Sequence, residues 1–403
     1  MEGTPFIRTL SLTHFLSFGA AGEELPLLPL NVLIGPNGSG KSNLIEAISL
    51  LQAAPTDLTA PIREGGGIAE WLWKGPDART VAEIKATVAY PDGVMPLRYR
   101  LALTPVGQRM AIQDEAVENE GPQSEGADTE FFFRYENGQA TFAHGPCREV
   151  SVDEALRRIR EKPKAWSVEN SVLSHGRDPE HHPEVSYLAE HFRRIKLYRE
   201  WGLGRRASAR LPQRADLPED FLLEDAGNLG LVLNDLEHRG AAWEQFRSYL
   251  GRFHEGVLDV TTKIHGGTVQ VFVHEKGLSQ PIPATRLSDG TLRFLCLLAI
   301  LCHPEPPPLI CIEEPELGLH PDIMPTIAEL LLDAAKRTQL IVTTHSDVLV
   351  SEFSDVPEAV LVCEREEDGT RMRRLDREPL MAWLEKYRLG EMWRMGEIGG
   401  NRW

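Results

Sequence analysis

The sequence has few of the features that mark membrane proteins and disulfide-stabilised secreted proteins. No apolar run approaches the roughly 18 residues needed to cross a bilayer, and the longest, residues 294–302, is far shorter. The N-terminus does not resemble a signal peptide, and the five cysteines form no CxxC pair. We therefore expect a protein of the reducing cytoplasm without a membrane span, in which Cys296, Cys302 and Cys311 are small core residues.

Positive charge is also scarce. The 403 residues include 43 Lys and Arg against 60 Asp and Glu, which gives a net charge of −17. This balance excludes a surface that coats nucleic acid uniformly, so any such contact needs a local basic patch. No long heptad repeat is present, and we expect no extended coiled-coil arm. The 42% hydrophobic content nevertheless supports a sizeable core in two or three lobes.

The most informative segment is Gly35-Pro36-Asn37-Gly38-Ser39-Gly40-Lys41-Ser42-Asn43. It lies between an apolar run at 30–34, which predicts a buried strand, and residues 43–48, which predict a helix start. A P-loop needs this context to bind phosphate, because glycines let backbone N–H groups point inward and the helix adds its dipole. In such a loop Lys41 contacts the β- and γ-phosphates and Ser42 binds Mg²⁺. The sequence therefore predicts ATP and Mg²⁺ as ligands.

Two further apolar runs end in polar residues. Residues 309–312 precede Glu313 and Glu314, a pattern typical of a Walker B strand, which delivers carboxylates to the edge of a parallel sheet. We expect Glu313 to hold Mg²⁺ through water and Glu314 to act as general base. Residues 340–344 precede His345, which is predicted to sense or orient the γ-phosphate. The alternatives are a solvated Glu-Pro-Glu turn and a structural histidine.

A capped helix is predicted after residue 288. Ser288, Asp289 and Gly290 precede the longest apolar run, and Ser288 is the expected N-cap. A helix end of this kind binds an anion through its free N–H groups, and the anion need not belong to the same chain. An ordinary capped helix explains the pattern equally well.

Taken in order, these motifs resemble those of ABC-type ATPases of the SMC/RecF group, and more closely the ATPase part of the AAA-family OLD (overcoming lysogenisation defect) proteins. The matching segments, 35–43, 287–291, 312–321 and 343–346, span nearly the whole chain. The resemblance implies an α/β P-loop NTPase of the ABC-ATPase head type, with two lobes and an inserted, mostly helical lid. It also implies that Ser288, Asp289 and Gly290 form a signature motif contacting ATP on the opposite subunit. A homodimer would then hold two ATPs head to tail.

The chain departs from that pattern in several places. Its signature reads Ser-Asp-Gly instead of Ser-Gly-Gly, and Glu313 stands where many relatives carry Asp. No glutamine can be assigned to a Q-loop, although Gln113 is one candidate. OLD nucleases carry a Toprim domain after the histidine strand, and the segment after His345 is shorter than a typical domain. A nuclease is therefore expected to be a separate protein.

We expect three parts along the chain: an ATPase lobe with the P-loop at 1–150, a helical lid at 151–255, and a second lobe at 256–403 with the remaining motifs. Within the first lobe, the acidic, turn-rich stretch 114–130 is predicted to be a loop. Gly266-Gly267 predicts a hairpin turn within 257–275.

One stretch reverses the acidic balance and is open to two interpretations. In the first interpretation, its basic residues contact DNA or RNA phosphates while Tyr198 and Trp201 stack on bases. In the second, they form internal salt bridges or contact ATP. They are Arg193, Arg194, Lys196, Arg199, Arg205, Arg206, Arg210 and Arg214. A second basic run, at 371–377, is predicted to be a solvated strand face.

The sequence as a whole predicts a Mg²⁺-dependent ATPase that dimerises head to tail on ATP and acts in DNA repair or anti-phage defence. Lys41, Glu314 and His345 are the predicted catalytic residues. One alternative is a slowly hydrolysing, ATP-sensing scaffold that holds a partner nuclease or toxin. Another is an ABC transporter motor, which needs a membrane subunit and is disfavoured by the long lid.

Overall fold

A computed structural model describes residues 3–22, 24–122, 129–136, 138–143, 169–175 and 178–400. Over these ranges the strands are β1 (Ile7–Thr13), β2 (Glu24–Pro26), β3 (Leu30–Ile34), β4 (Ala82–Val88), β5 (Leu97–Val106), β6 (Arg109–Asn119), β7 (Phe131–Glu136), β8 (Gln139–Phe142), β9 (Lys196–Tyr198), β10 (Gln213–Arg214), β11 (Val257–His265), β12 (Thr268–Glu275), β13 (Ile282–Pro283), β14 (Leu309–Glu313), β15 (Gln339–Thr343), β16 (Val360–Glu366) and β17 (Gly369–Arg374).

The α-helices of the same ranges are α1 (Lys41–Ala53), α2 (Thr59–Glu64), α3 (Ile68–Trp71), α4 (Pro183–Arg193), α5 (Leu229–Glu237), α6 (Ala241–Phe253), α7 (Asp289–Leu301), α8 (Met324–Ala334), α9 (Asp347–Ser351), α10 (Arg377–Leu384) and α11 (Leu389–Met395). In the described ranges, no helix combines the length and the apolar character that a bilayer crossing requires.

A six-stranded sheet in the order β17-β16-β3-β15-β14-β9 forms the centre of the fold. The five strands from β16 to β9 are parallel, and only β17 runs against its neighbour. β3 and β15 are buried along their whole length, as near-continuous apolar strands are when both faces of a parallel sheet are covered. Because the five strands share one direction, their carboxyl ends meet at a single edge.

The central sheet separates two hydrophobic cores. Leu30, Val32 and Ile34 of β3 pack into the core that contains α7, whereas Leu33 packs into the core that contains α1. α7 is buried at residue 292 and along 294–301, so it is apolar nearly all round, as a fully enclosed helix must be. This arrangement confirms the predicted α/β P-loop fold.

Two antiparallel sheets flank the centre. One has seven strands in the order β2-β1-β4-β5-β6-β7-β8, and the other pairs β10, β12 and β11, with β13 added at β12. The predicted hairpin at 257–275 is present as β11 and β12, and its turn residues Gly266 and Gly267 have φ of 58° and 77°. Both values suit a tight hairpin turn that favours glycine.

The prediction of an acidic loop at 114–130 is wrong for its first part. Residues 114–119 complete β6 and pair with both β5 and β7. Charge pairing across the strands makes this possible, because Asp114 lies 3.1 Å from Arg100 and Glu118 lies 3.6 Å from Arg98. Residues 123–128 lie outside the described part.

The expected lid at 151–255 is only partly helical where it is described. Helices α4, α5 and α6 fall in this range, but β9 is an edge strand of the central sheet and β10 belongs to the flanking sheet. Residues 151–168 lie outside the described ranges. The division at 150 and 255 stays a prediction, and the described part of the middle segment is built into the ATPase sheets.

The described cysteines behave as small core residues. Cys296, Cys302, Cys311 and Cys363 are buried and carry free thiols. Burial raises the pKa of the Cys296 and Cys363 thiols to about 12, which keeps both thiols protonated and unreactive at neutral pH. The prediction for Cys296, Cys302 and Cys311 is confirmed.

Candidate nucleotide-binding site

The glycine-rich loop connects the end of β3 to the start of α1 and is shaped by its glycines. Gly35, Gly38 and Gly40 have φ of 146°, 79° and 102°, values that other residues rarely adopt. A Cβ on Gly35 would lie 2.2 Å from the carbonyl oxygen of Cys363, and one on Gly40 would lie 2.3 Å from the hydroxyl of Thr370. The loop is therefore wedged against β16 and β17, and its curvature depends on residues without side chains.

Lys41 folds back on the loop that precedes it. Its ammonium group donates to the carbonyl oxygens of Gly35 at 2.7 Å and Pro36 at 3.0 Å. Burial lowers the pKa of Lys41, while the carboxylates of Glu313 and Glu314 act in the opposite direction. The amine is thus partly desolvated and held by neutral acceptors, which a phosphate oxygen can replace.

Two hydroxyl groups at the loop suit a phosphate and its metal ion. The Ser39 hydroxyl is buried and has no hydrogen-bond partner, although buried polar atoms are usually paired. Ser42, at the first turn of α1, is exposed. An unpartnered hydroxyl inside a glycine-rich loop at a helix N-terminus fits a phosphate group, and the exposed Ser42 is accessible to Mg²⁺.

A polar clamp holds the loop from the side of β17. The Thr370 hydroxyl donates to the carbonyl oxygen of Ser39 at 3.0 Å and lies 2.7 Å from the hydroxyl of Ser17. Asn43 completes the clamp by donating from its amide to Ser17 at 2.7 Å. Sequence reasoning placed Asn43 in the motif but missed Ser17 and Thr370, since neither lies in a recognisable pattern.

β14 delivers two carboxylates to the same edge of the sheet. Glu313 ends the strand and is half-buried; burial raises the pKa of its carboxyl group, and the Arg199 guanidinium opposes this. Glu314 has a φ of 45°, a strained value for a residue with a side chain. Its backbone N–H donates to the carbonyl oxygen of Thr343 at 2.9 Å, and Arg293 approaches its carbonyl oxygen at 3.4 Å. Contacts from two neighbouring elements therefore fix the direction of Glu314.

His345 follows β15 and faces Glu314. The imidazole Nε2 lies 3.8 Å from Oε1 of Glu314. Partial burial, and then the nearby charge of Lys41, lower the pKa of His345, so the ring is neutral at pH 7. The Glu316 carboxylate accepts hydrogen bonds from the His345 backbone N–H at 2.9 Å and the Thr344 hydroxyl at 2.6 Å. Glu316 had no predicted role, yet it orders this segment.

The strand beside β14 brings one arginine of the basic stretch to this edge of the sheet. β9 pairs with β14 in parallel, and Arg199 follows it directly. Arg199 and Glu46 of α1 are joined by a hydrogen-bonded ion pair of 2.7 Å and line an open groove of about 760 Å³.

Gln113, the candidate Q-loop residue, lies exposed on β6 of the seven-stranded sheet. It is therefore not at the edge where the P-loop and Walker B residues meet.

Ser288, Asp289 and Gly290 form the first turn of α7. Ser288 is exposed and its hydroxyl accepts from the backbone N–H of Thr291 at 3.0 Å, which confirms the predicted N-cap. Asp289 pairs with Arg210, whose side chain is only 6% exposed. A Cβ on Gly290 would lie 2.7 Å from the carbonyl oxygen of Gly318. In the described part of the chain these three residues contact their own turn, Arg210 and the loop after Glu316.

Four of the eight basic residues in the stretch at 193–214 have acidic partners within the described part of the chain. Arg210 donates to the carbonyl oxygens of Leu203, Ala284 and Leu287 as well as to Asp289, and Tyr198 is buried. The remaining ion pairs are those of Arg193 with Glu190, Arg199 with Glu46, and Arg214 with Asp216.

The prediction that the basic run at 371–377 forms a solvated strand face is wrong for two of its four arginines. Arg377 begins helix α10, after β17 has ended. Arg374 is largely buried and donates to the backbone carbonyl oxygens of Glu358 and Pro26, both at 2.7 Å. Burial lowers the pKa of its guanidinium to about 10. Arg374 thus ties β17 to neighbouring segments of the chain.

The fold and the order of these motifs define a P-loop ATPase of the ABC-ATPase head type. A family model described as "AAA domain, putative AbiEii toxin, Type IV TA system" matches residues 30–351. The chain belongs to this family.

Curated relatives match over short segments. The chromosome partition protein Smc of a Synechococcus species is 52% identical over 44 residues, which are 11% of this chain and 4% of that protein. Smc of Mycolicibacterium paratuberculosis is 30% identical over 98 residues, 23% of this chain and 8% of that protein. The chain therefore matches less than a tenth of the length of either relative.

Solved structures match over nearly the whole chain. An Smc head bound to the C-terminal winged-helix domain of ScpA has a TM-score of 0.61 at 16% identity, covering 94% of this chain and 100% of that one. A Pyrococcus furiosus Smc head with an extended coiled coil, bound to the C-terminal domain of ScpA, has a TM-score of 0.56 at 15% identity, covering 95% and 99%. These likenesses establish a shared head fold.

Proposed function

We propose that the protein binds ATP with Mg²⁺ and hydrolyses it. The observation that carries this proposal is the convergence of three segments at one edge of the central sheet. The P-loop follows β3, Glu313 ends β14 and Glu314 comes next, and His345 follows β15. Lys41 interacts electrostatically with both glutamates and lies near His345, so the four side chains form one cluster.

Each residue has a distinct task in this proposal. Lys41 exchanges the carbonyl oxygens of Gly35 and Pro36 for the β- and γ-phosphate oxygens, while backbone N–H groups of the loop after Pro36 surround the phosphates. Ser42 and Glu313 are the residues that would hold Mg²⁺, which when bound neutralises phosphate charge and orients the phosphates for attack. Glu314 accepts the proton of the attacking water, and neutral His345 donates a hydrogen bond toward the γ-phosphate.

We propose further that ATP joins two copies of the chain head to tail. Ser288 is exposed at the N-terminus of a 13-residue helix whose free N–H groups suit an anion. In the described residues its turn packs on the Gly318 loop and Arg210, leaving its outer face open to a second subunit. Hydrolysis would remove the γ-phosphate that both subunits share and would loosen the dimer.

Turnover of ATP by the purified protein tests the catalytic proposal. We expect phosphate release that needs Mg²⁺, is abolished by Lys41→Ala through loss of nucleotide binding, and falls roughly 10²- to 10⁴-fold in Glu314→Gln through loss of the general base. Arg214→Gln, which removes an exposed arginine outside the cluster, should match the wild type. Equal turnover by wild type and Glu314→Gln would exclude the assigned base.

The biological setting we propose is DNA repair or defence against phage in the cytoplasm, with a toxin or nuclease as a separate partner. The family description, which contains the words "putative AbiEii toxin, Type IV TA system", supports a role in a toxin–antitoxin system. The second candidate is an ATP-sensing scaffold with slow turnover. Single-turnover measurements separate the two. Phosphate release slower than about one per hour with tight ATP binding would favour the scaffold.

Direct nucleic-acid binding is proposed through the part of the basic stretch that stays exposed, notably Arg205 and Arg206. Electrostatic contacts of this kind weaken steeply as salt rises. Filter binding with single- and double-stranded DNA and RNA, at several salt concentrations and with or without Mg-ATP, tests this. If the double variant Arg205→Glu/Arg206→Glu retains as much nucleic acid on the filter as the wild type, this surface is excluded as the binding site.

A further inference from the structure

We propose that Arg199 sets the Mg²⁺ affinity of the nucleotide site: its guanidinium compensates the carboxylates of Glu46 and Glu313 before the metal binds, and then competes with the metal for them. The inference rests on the proposed function and assigns a role to a residue outside the recognised motifs. Arg199 acts through the two carboxylates, so it is a positioning residue.

Strand register places Arg199 beside the Walker B carboxylate. In the parallel pair of β9 and β14, Tyr198 lies opposite Ile312. The next residues of the two strands are Arg199 and Glu313, which therefore leave the sheet side by side at its carboxyl edge. β9 is the last strand of the sheet in the described structure, so Arg199 stands at the rim of the site.

The contacts of Arg199 point to the P-loop helix. Nη1 donates to Oε1 of Glu46 at 2.7 Å, and Nη2 donates to the carbonyl oxygen of Ile45 at 3.2 Å. Glu46 is four residues after Ser42 on α1, so both lie on one face of the helix. Arg199 is thus adjacent to the two segments that carry the expected metal ligands, Ser42 and Glu313.

The guanidinium is not fully satisfied by these contacts. Its Nε is buried and has no hydrogen-bond partner, although buried polar atoms are usually paired. The side chains of Arg199 and Glu46 are 29% and 32% exposed, and the groove beside them lets water and ions reach the pair. The ion pair can therefore rearrange when another cation arrives.

Electrostatics fixes the direction of the effect. Neighbouring carboxylates repel one another, and a guanidinium between them relieves that repulsion while no metal is bound. A divalent cation at Glu313 takes over this compensation and meets the positive charge of Arg199. Removing the charge of Arg199 should therefore tighten Mg²⁺ binding, while removing the charge of Glu46 should weaken it.

The experiment is a Mg²⁺ titration of the binding of a fluorescent, non-hydrolysable ATP analogue, with thermal unfolding measured in parallel. In Arg199→Met we expect the half-saturating Mg²⁺ concentration to fall about tenfold. In Arg199→Lys, which keeps the charge, it should stay within about twofold of the wild type. Arg214→Met is the matched control, because it removes an exposed, ion-paired arginine of the same stretch, and should leave the titration unchanged.

Glu46→Gln provides a second and opposite test. It frees Arg199 to turn fully toward Glu313, and the half-saturating Mg²⁺ concentration should rise about fivefold. If the half-saturating Mg²⁺ concentration is unchanged in both Arg199→Met and Glu46→Gln while the melting temperature falls, Arg199 has only a structural role and the proposal is overturned. If Arg199→Met does not fold, Glu46→Gln and Arg199→Lys decide alone. A wild-type protein that binds nucleotide without any Mg²⁺ dependence would instead contradict the proposed function itself.

Discussion

The backbone N–H of His345 donates a hydrogen bond of 2.9 Å to the carboxylate of Glu316, which lies in the loop after the Walker B strand. The same oxygen accepts from the Thr344 hydroxyl. One carboxylate thus fixes the direction in which β15 delivers its histidine toward Glu314. The loop after the expected base and the segment that carries the histidine are therefore tied together by hydrogen bonds.

Replacing Glu316 should impair catalysis more than nucleotide binding. In Glu316→Ala we expect turnover to fall about tenfold or more, with the KM for ATP within about threefold of the wild type, because misplacement of a reacting group costs rate. Glu316→Gln keeps one acceptor oxygen, so its turnover should lie between those of the wild type and Glu316→Ala. Steady-state kinetics checks this, and a variant with a raised KM but normal kcat would contradict it.

Removing the Thr370 hydroxyl should weaken nucleotide binding. Thr370→Val keeps the shape of the side chain but loses its contacts with Ser39 and Ser17, each worth about 1 kcal/mol. The dissociation constant for ATP should rise roughly 5- to 30-fold, since 1.4 kcal/mol corresponds to a factor of ten. Thr370→Ser keeps the hydroxyl and serves as the control. Isothermal titration decides the matter, and equal affinities for the valine and serine variants would exclude the clamp.

The stability of the fold should depend on pH through Glu115 of β6. This carboxyl group is fully buried among Tyr99, Ser171 and Val172, with hydrogen bonds of 2.7 Å from the Tyr99 hydroxyl and 2.9 Å from the Val172 N–H. Burial raises the pKa of Glu115 from 4.5 to about 7. The pKa of Glu115 is higher in the folded state than in the unfolded state. Its contribution to the free energy of unfolding is therefore fully present below about pH 4.5 and decreases as pH rises to 7.

Glu115→Gln tests this dependence. Between pH 4.5 and pH 7, the free energy of unfolding of the wild type should fall by about 3 kcal/mol relative to the variant, as 1.36 kcal/mol per pKa unit requires. Above pH 8, plots of the free energy of unfolding against pH should be parallel for the two proteins. Denaturant unfolding at several pH values measures the difference. Glu136→Gln, at the exposed end of β7, should follow the wild type throughout. Parallel wild-type and Glu115→Gln profiles from pH 4.5 to pH 7 would contradict the prediction.

Local patterns in the sequence were enough to predict the architecture around the P-loop. Residues 30–34 and 309–313 are short apolar runs that end in glycines or acids, and such runs form the buried parallel strands of an α/β sheet. The N-cap at Ser288 was equally visible, because capping depends on neighbouring residues only.

Contacts between distant segments were not visible in the sequence. Thr370 reaches Ser17 across 353 positions, and Arg199 reaches Glu46 across 153. The acidic strand end at 114–119 was mistaken for a loop because its stabilising arginines lie on a neighbouring strand. Pairing across strands depends on register, which no short window of sequence specifies.

Head-to-tail dimerisation on ATP can be measured by light scattering of Glu314→Gln with and without Mg-ATP. Slow hydrolysis in this variant should trap the nucleotide-bound state. We expect the mass to double on addition of Mg-ATP, and to stay unchanged in the double variant Glu314→Gln/Ser288→Arg, whose arginine blocks the N-terminus of α7. A mass that is unchanged by ATP, or a doubling that persists in the Ser288→Arg variant, would contradict dimerisation through an ATP held at Ser288.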